Sequence, residues 1–485
     1  MALRKMGDVI ILLPGIMGSV LQLDGKDVWA PSPGAVMKGL WTLGGSVKAL
    51  KLSEDPWQKD DLGDGVTAPR LVPDLHGIPG VWGGIDGYTR VSEYIKSKFD
   101  VVPGKTFIEF AYDWRRDNRV AARKLAGVAA EALQEQRKVN AEAKLILIGH
   151  SMGGLVARWF LEMMDGWRDT RVLITFGTPY RGSLDSLNYL ANGFVKRVGP
   201  LKLLDLSELV RSLTSIYQLL PIYPCIREEA GGELVRPADS ARVASLVAAQ
   251  VAKPESEEAK RHLARAYAAE HEFHRAIEKA VKSREKEFPY VIRPIIGVTQ
   301  PTLQLGTVEP GRLRMDTKYP GEEFAGDGTV PQISASPIEL DDRVNETAVY
   351  LPEGHGSLQN APSSLTQILG QLSTLKRDAR FKEVGNGLAL TVDDIFSVGE
   401  EIMVNVTADI PYLDLKARVV DNATGKRVGK VVKLAGDGEV NFTAELPPLP
   451  AGDYRLQVAP WGDSAGLAEP VHGLFHVASD TEPSQ

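Results

Sequence analysis

A serine in a glycine-flanked pentad is the residue of this sequence best suited to nucleophilic chemistry. The pentad consists of Gly149, His150, Ser151, Met152 and Gly153. Its Gly-x-Ser-x-Gly spacing is typical of a nucleophile elbow, a strand-to-helix turn so sharp that side chains two residues either side of the serine have no room. The turn lifts the serine hydroxyl above the sheet and aims the N–H of Met152 at a developing oxyanion. We therefore predict that Ser151 attacks an acyl carbonyl group.

An acyl-transferring serine needs a histidine base, which in this kind of fold follows it in the chain. Of the eight histidines, His76 precedes Ser151, and His150 adjoins it with a side chain that we expect to point away. Five others lie on predicted helices or in the C-terminal strands: His262, His271, His274, His472 and His476. Only His355 lies in a glycine-flanked loop directly after a predicted sheet strand, so we predict that it is the base.

Asp327 is the predicted acid that orients the base. It stands between two glycines, and a single predicted strand separates it from His355. Asp341 and Asp342 remain alternatives, although they precede the last strand on what is predicted to be a solvated turn. The glycine-rich segments around Asp327 and His355 could also be ordinary turns without chemistry.

Aliphatic runs supply the elements that must position these side chains. Three of them are predicted to be buried parallel strands: Val9–Leu13, Lys144–Ile148 and Val172–Phe176. The first leads into residues 14–19, a loop that could present backbone N–H groups to an oxyanion, and a helix is predicted after Ser151. The candidate residues all follow predicted strand ends, where open α/β sheets place their sites.

Changes of pattern predict three insertions in this α/β region. An irregular, tryptophan-containing stretch at about 24–86 predicts a cap, apolar helical segments at about 184–220 predict a lid, and polar, alanine-rich helices occupy about 237–286. The tryptophans could face an acyl pocket or a membrane, but burial in a core is the favoured interpretation. The histidines of the third insertion are predicted to be solvated helix residues and not metal ligands.

After about residue 376 the pattern changes to seven short strands separated by turn signals. This spacing predicts a small β-sandwich of immunoglobulin-like type at 381–480, with the α/β domain at 1–378. The sandwich contains no cysteine pair and no evident catalytic cluster.

Composition limits the partners and the compartment. A net charge of -7 argues against a nucleic-acid partner, which would need clustered basic residues. The single cysteine, Cys225, excludes an intramolecular disulfide and fits a reducing compartment. The apolar run near the N-terminus is short and ends at Pro14, so we predict a first strand and a cytoplasmic protein. No cofactor or metal is expected.

Several motifs occur in a fixed order between Val9 and about Leu375. They occupy residues 14–19, 112–115, 149–154, 177–179 with 182–183, 219–221, 326–331 and 354–358. Together they resemble the lecithin:cholesterol acyltransferase-like α/β-hydrolases, which include lysosomal phospholipase A2 and phospholipid:diacylglycerol acyltransferase. The predicted β-sandwich lies outside the resemblance.

The resemblance implies an α/β-hydrolase fold with a mostly parallel sheet and assigns roles to individual residues. It implies that Ser151 is the nucleophile, Asp327 the acid and His355 the base. It also implies that the backbone N–H groups of Ile16 and Met152 form the oxyanion hole. The family's cap carries a disulfide-closed loop, which a chain with one cysteine cannot make.

The family and the apolar cap together indicate a lipid acyl ester as substrate, met at a lipid interface. Hydrolysis of the lipase or phospholipase type is the first hypothesis, because water is the default acceptor for such a chain. Transfer of the acyl group to an alcohol is the second, since the chemistry at the serine is identical. Two further alternatives are an esterase or thioesterase for non-lipid acyl groups and a non-catalytic protein whose β-sandwich recognises an unknown partner.

Overall fold

A computed structural model describes residues 3–30, 49–74, 87–198, 201–250, 255–284, 290–319, 325–373, 388–465, 467–468 and 470–478. Much of the predicted cap, at 31–48 and 75–86, lies outside the described residues, and so does His76. Within the described ranges, no helix has both the length and the apolar character needed to span a membrane.

Six parallel strands form the central sheet of the N-terminal region. In chain order they are β1 (Val9–Leu13), β2 (Phe107–Glu109), β3 (Leu145–His150), β4 (Thr170–Phe176), β5 (Val291–Gly297) and β6 (Val349–Leu351). Across the sheet the order is β6, β5, β4, β3, β1, β2, and every neighbouring pair is parallel. Strands β1 and β3 are buried along their whole length, as expected for strands covered on both faces. The α/β class predicted from the sequence is therefore confirmed.

The described part of the N-terminal region contains eleven α-helices. They are α1 (Thr89–Lys98), α2 (Asn118–Arg137), α3 (Met152–Met163), α4 (Leu184–Asn192), α5 (Ser207–Ser212), α6 (Thr214–Tyr217), α7 (Ala241–Ala249), α8 (Glu255–Ala268), α9 (Arg275–Lys282), α10 (Val344–Thr347) and α11 (Pro362–Ser373). Of these, α1, α2, α3 and α11 pack on the two faces of this sheet. Helices α1 and α11 share a core with Ile10 and Ile146, whereas α2 and α3 share one with Ile11 and Leu147. Successive side chains of β1 and β3 point to opposite faces of the sheet, as in any β-strand, so each face has its own apolar core.

The predicted lid contains a β-hairpin as well as helices. Val195–Val198 pairs with Leu201–Asp205 between α4 and α5. Gly193 ends α4 with a φ of 86°, a conformation that favours glycine, and the chain turns into the hairpin from there. The expectation of helical segments throughout 184–220 is thus wrong over the hairpin.

The third insertion is helical, as predicted. Helices α7, α8 and α9 are joined by the π-helical turn Ala269–His274 and preceded by the 3₁₀ turn Pro237–Asp239. Strand β6 begins at Val349, shortly after α10 ends at Thr347. The remaining strands of this region form small sheets: Arg4–Lys5 with Phe99–Asp100; Leu21–Leu23 with Lys26–Trp29 and Val66–Thr67; and Ile226–Arg227 with Leu234–Val235, Leu305–Glu309 and Arg312–Asp316.

The C-terminal region consists of two β-sheets around one apolar core. Its strands are β7 (Leu388–Thr391), β8 (Ile395–Ser397), β9 (Ile402–Ala408), β10 (Leu415–Asp421), β11 (Arg427–Lys433), β12 (Ala435–Gly436), β13 (Asn441–Leu446), β14 (Gly452–Pro460) and β15 (Val471–Ala478). One sheet has the order β7, β9, β13, β12 and the other β8, β15, β14, β10, β11. Buried and exposed residues alternate strictly along β9, so each sheet has one core face and one solvent face. The seven strands predicted from the sequence are present, with β8 and β12 in addition.

Candidate active site

Ser151 lies in a sharp turn between β3 and α3, as the glycine spacing predicts. Its backbone has φ 51° and ψ −124°, a combination that costs a non-glycine residue energy. A Cβ atom at Gly149 would lie 2.7 Å from the nitrogen of Gly154, and one at Gly153 would lie 2.5 Å from the oxygen of Pro14. Only glycine fits at these two positions, so the turn depends on them for the exposure of the serine hydroxyl.

Ser151, His355 and Asp327 form one chain of hydrogen bonds. Nε2 of His355 lies 2.9 Å from Oγ of Ser151, and Nδ1 lies 2.7 Å from Oδ2 of Asp327. The other carboxylate oxygen, Oδ1, accepts the N–H groups of Thr329 and Val330 at 3.0 and 2.6 Å. Because a carboxylate only accepts, Nδ1 carries the imidazole proton and Nε2 is free to take a proton from the serine. All three side chains are buried.

Backbone contacts hold the three loops against one another. The N–H of His355 donates to the carbonyl of Asp327 at 2.8 Å, and the hydroxyl of Thr178 donates to the carbonyl of Ser151 at 2.9 Å. A Cβ atom at Gly177, whose φ is 51°, would lie 2.5 Å from Oδ2 of Asp327. Glycine is therefore required where the loop after β4 passes the histidine–aspartate pair.

The alternative acid Asp341 does not reach this site. Asp341 pairs instead with Arg181 and leaves about half of its side chain exposed, 47%. The side chain of Asp342 is not among those described.

The two predicted oxyanion donors lie at the mouth of the same site. Ile16 lines a cavity together with Ser151 and His355. Met152 is the first residue of α3, where backbone N–H groups have no partner within the helix. The loop that contains Ile16 is held by a turn in which the N–H of Gly18 donates to the carbonyl of Gly15 at 3.0 Å. This placement suits an oxyanion hole at Ser151.

The expectation that His150 points away from the site is wrong. Its Nε2 lies 3.1 Å from the carbonyl oxygen of His355, and its Nδ1 lies 2.8 Å from the hydroxyl of Tyr88. The same hydroxyl accepts the N–H of Gly15 at 2.7 Å. Because the carbonyl only accepts, Nε2 of His150 carries the proton and Nδ1 accepts from Tyr88. The network therefore joins the loop of Ile16 to the loop of His355.

His150 remains neutral in this network. Burial in the protein, with a contribution from the neighbouring His355, lowers the pKa of His150 to about 3. Sequence reasoning missed both His150 and Tyr88 because 62 residues separate them and no spacing pattern relates them. The position of His150 beside Ser151 was the only available signal.

The cavity over Ser151 is nearly closed. It offers about 20 Å³ to solvent, which is room for roughly one water molecule. Both ends of the predicted lid contribute to its lining, through Ser183 and Ser186 at one end and Leu219 at the other. A much larger groove of about 660 Å³ is lined by residues such as Asp60, but Ser151 and His355 are not among its lining residues. The segment 184–220 therefore lies beside the cavity over the serine.

The prediction that the histidines of the third insertion are solvated is wrong for two of them. His262 is buried against the hydroxyl of Tyr217, and His274 is buried with Nε2 donating to the carbonyl of Gln218 at 2.8 Å. Burial lowers the pKa of each to about 4. His271 is partly exposed. Within the described parts of the chain no group of three or more His, Cys, Asp or Glu side chains is arranged to hold a metal ion.

Comparison with known proteins finds a family similar to the segment that contains the Ser151 turn. Residues 84–290 match the family model of lecithin:cholesterol acyltransferase. "Lysosomal phospholipase A and acyltransferase" of Homo sapiens is 32% identical over 114 residues, which cover 23% of this chain and 27% of that protein. "Lecithin-cholesterol acyltransferase-like 4" of Arabidopsis thaliana is 27% identical over 193 residues, which cover 36% of this chain and 34% of that protein.

These matches span about a quarter to a third of the length of the curated relatives. Among solved structures, the mature form of Bacillus licheniformis lipase BlEst2 matches with 12% identity and a TM-score of 0.30, covering 75% of this chain and 91% of that one. The matched family segment contains Ser151, and the resemblance drawn from the motifs is confirmed. Over residues 84–290, the chain is therefore similar to the lecithin:cholesterol acyltransferase family.

Proposed function

We propose that this chain is a serine acyl hydrolase that acts on lipid acyl esters through Ser151, His355 and Asp327. The observation that supports the proposal most directly is the hydrogen-bonded chain of these side chains, with distances of 2.9 and 2.7 Å. It ends on a serine in the strained turn of a nucleophile elbow. A serine hydroxyl is a weak nucleophile unless a base takes its proton, and His355 is positioned to do so.

The proposed reaction has two halves. As the oxygen of Ser151 attacks the ester carbonyl, Nε2 of His355 takes the hydroxyl proton, and the N–H groups of Ile16 and Met152 stabilise the oxyanion. When the C–O bond breaks, His355 returns the proton to the leaving alcohol and an acyl-enzyme remains. Water then attacks the acyl-enzyme while His355 takes its proton. As the bond to the serine oxygen breaks, His355 returns that proton to the serine, so that the fatty acid and free serine result. Asp327 holds the imidazole in the required tautomer throughout.

Lipid is the proposed substrate class on two grounds. The human relative is named a phospholipase, and the cavity at Ser151 includes the apolar side chains of Ile16, Leu219 and Val330 in its lining. The same relative is also named an acyltransferase, so transfer of the acyl group to an alcohol is the second candidate. Both reactions share the acyl-enzyme, and they differ only in whether water or an alcohol attacks it.

Three structural assignments accompany the proposal. We assign 184–220 as a lid, because its two ends close the cavity over Ser151. We assign the C-terminal sandwich to the immunoglobulin-like type, supported by the parallel pairing of β8 with β15 and by the hydroxyl of Tyr454, which donates to the carbonyl of Pro450 at 2.9 Å. We also propose a cytoplasmic location, since Cys225 is free and buried.

Covalent labelling tests the chemistry. A fluorophosphonate should label the native chain at Ser151, because it is attacked by an activated serine and mimics the oxyanion. Ser151→Ala should abolish labelling and lower ester turnover by about 10⁶-fold. Ser464→Ala is the matched control, since Ser464 is equally buried but lies in the sandwich and accepts the N–H of Asp414. Labelling that persists in Ser151→Ala, or no labelling of the native chain, contradicts the proposal; the second result favours a binding protein.

Substrate comparison tests the lipid assignment. Short and long acyl esters are compared in solution and in mixed micelles, with and without a long-chain alcohol. We expect higher turnover of the long-chain ester at the micelle surface. A free fatty acid as the main product supports hydrolysis, whereas a new ester of the added alcohol supports transfer. Preference for a short ester without any gain in micelles contradicts a lipid substrate.

A further inference from the structure

The loop that carries Asp327 lies far along the chain from the sheet strand that should support it. Strand β5 ends at Gly297, and the Leu305–Glu309 and Arg312–Asp316 hairpin intervenes before Asp327. Asp327 is therefore held by contacts with other segments and not by direct continuation of a strand. These contacts converge on Gln300, a buried residue just after β5.

The backbone of Gln300 binds the Asp327 loop. Its N–H donates to the carbonyl of Gly326 at 2.9 Å, and the N–H of Gly326 donates back at 3.4 Å. A parallel β-bridge also relates Gln300 to Asp327 itself. The hydroxyl of Thr302 donates to the carbonyl of Gln300 and accepts the N–H of Gly328, both at 2.9 Å. Gln300 therefore holds the turn that carries Asp327 through backbone hydrogen bonds.

The side chain of Gln300 binds the β-sandwich. Its amide nitrogen donates to the carbonyl of Leu388 at 3.1 Å, and its amide oxygen accepts the N–H of Leu390 at 3.1 Å. Both residues belong to β7, an edge strand that pairs with β9 on its other side only. The amide therefore takes the place of a neighbouring strand and satisfies backbone groups that an edge leaves unpaired. Thr299 adds a hydroxyl donor to Leu388 at 2.9 Å.

A second contact joins the sandwich to the loop of the base. Glu353, two residues before His355, is buried, and one of its carboxylate oxygens lies 3.4 Å from Nδ1 of His472 on β15. A cleft of about 220 Å³ separates the two regions here, with Asp327 and His355 on one wall and His472 on the other. The sandwich thus contacts Gln300, which binds the loop of Asp327, and Glu353, which lies in the loop of His355.

We infer that the β-sandwich braces the histidine–aspartate pair and that Gln300 is a positioning residue for the reaction. This inference rests on the proposed function of Ser151, Asp327 and His355. A buried amide with its donor and acceptor both used fixes the distance between β7 and the turn of Asp327. Displacement of a catalytic group by about 1 Å can cost about 100-fold in rate, so such a brace affects turnover directly.

Gln300→Met tests the inference in the full-length chain, because methionine keeps the length of the side chain and removes both hydrogen bonds. We expect kcat to fall about tenfold to 100-fold and KM to stay within about twofold. The matched control is Gln371→Met, a buried glutamine on α11 that is remote from both loops. The control should leave kcat unchanged. Equal kcat in the native chain and in folded Gln300→Met overturns the inference.

A double mutant separates positioning from general stability. If Gln300 acts through Asp327, adding Gln300→Met to Asp327→Asn lowers kcat no further, whereas independent effects multiply. Multiplicative effects overturn the inference. If Asp327→Asn alone leaves turnover at the native level, it is the proposed function that fails. Should Gln300→Met not fold, His472→Ala probes the brace from the sandwich, with an expected severalfold loss of kcat at constant KM; native kcat in that variant overturns the inference.

Discussion

Each of the two regions, within the residues that the structure describes, holds a histidine–aspartate pair, and the two pairs are held in different ways. Asp453 and His476 face each other across β14 and β15, with Nδ1 2.6 Å from Oδ1. Asp327 and His355 lie 2.7 Å apart in two separate loops at one edge of the parallel sheet. Only the second pair has a serine hydroxyl at the remaining ring nitrogen, at 2.9 Å. Of the two pairs, only this one has the hydroxyl contact that our proposal of proton transfer requires.

The difference follows from the two kinds of sheet. In an antiparallel sheet, neighbouring strands place cross-strand partners side by side, so the Asp453–His476 pair follows from register alone. In a parallel sheet, strands remote in sequence end at one edge, and their loops meet there. The loops that carry Ser151, Asp327 and His355 come from three separate parts of the chain and meet at this edge. Each loop must then be held in position by its own contacts with other segments. We therefore predict that replacing a residue of the Asp327–His355 pair lowers activity, whereas replacing a residue of the Asp453–His476 pair lowers stability.

Replacing the aspartate of each pair should produce the largest contrast. Asp327→Asn should lower kcat about 10⁴-fold, because the amide no longer selects the tautomer with Nδ1 protonated. Asp453→Asn should leave kcat unchanged and lower the free energy of unfolding by about 1 kcal/mol. The measurements are turnover of a chromogenic ester and urea denaturation of both variants. A loss of turnover in Asp453→Asn as large as in Asp327→Asn would contradict this division of roles.

The sequence predicted the parts of the site that local geometry controls. Gly149 and Gly153 identified the turn of Ser151, because no other residue fits there. His355 followed by elimination among eight histidines, and Asp327 followed from its position between glycines. Continuous aliphatic runs and alternating ones likewise distinguished the two kinds of sheet, since these periodicities differ.

The rest depended on contacts between remote segments. Tyr88 contacts His150, and Gln300 binds Leu388, across 62 and 88 residues of sequence. A single sequence carries no signal for such pairs, because any polar residue near a strand end would look the same. The prediction that His262 is solvated was wrong for a similar reason. Its helix α8 is polar on average, and His262 is buried by contact with Tyr217, a residue 45 positions away in the sequence.

Acid should destabilise the N-terminal region more than the sandwich. His150, His262 and His274 are buried and neutral, with pKa values of about 3, 4 and 4, below the 6.5 of a solvent-exposed histidine. Below pH 6.5 the unfolded chain therefore binds protons that the folded chain does not, and stability falls as pH falls. Each histidine should contribute about 1 kcal/mol per pH unit, or roughly 3 kcal/mol for the three between pH 6.5 and 5.5.

Tryptophan fluorescence can isolate this effect. In Trp461→Phe every remaining tryptophan precedes residue 168, so the signal reports the N-terminal region. The urea midpoint of this variant should be clearly lower at pH 5.5 than at pH 7, a range in which exposed carboxylates titrate little. In the sandwich, His476 lies beside the carboxylate of Asp453. Equal midpoints at the two pH values would mean that the three histidines do not remain neutral in the folded chain.

Two tyrosines provide the finest comparison, since each region uses a buried tyrosine hydroxyl to hold a backbone group. Tyr88→Phe removes the acceptor of the Gly15 N–H and the donor to His150, so the oxyanion loop and the base loop lose their connection. We expect kcat to fall about tenfold at constant KM, a loss of about 1.4 kcal/mol in transition-state stabilisation. Tyr454→Phe removes only the hydrogen bond to Pro450 and should cost about 1 kcal/mol of unfolding free energy with native kcat. If both variants lose stability equally and neither loses turnover, the His150 network supports the fold of the site without contributing to its chemistry.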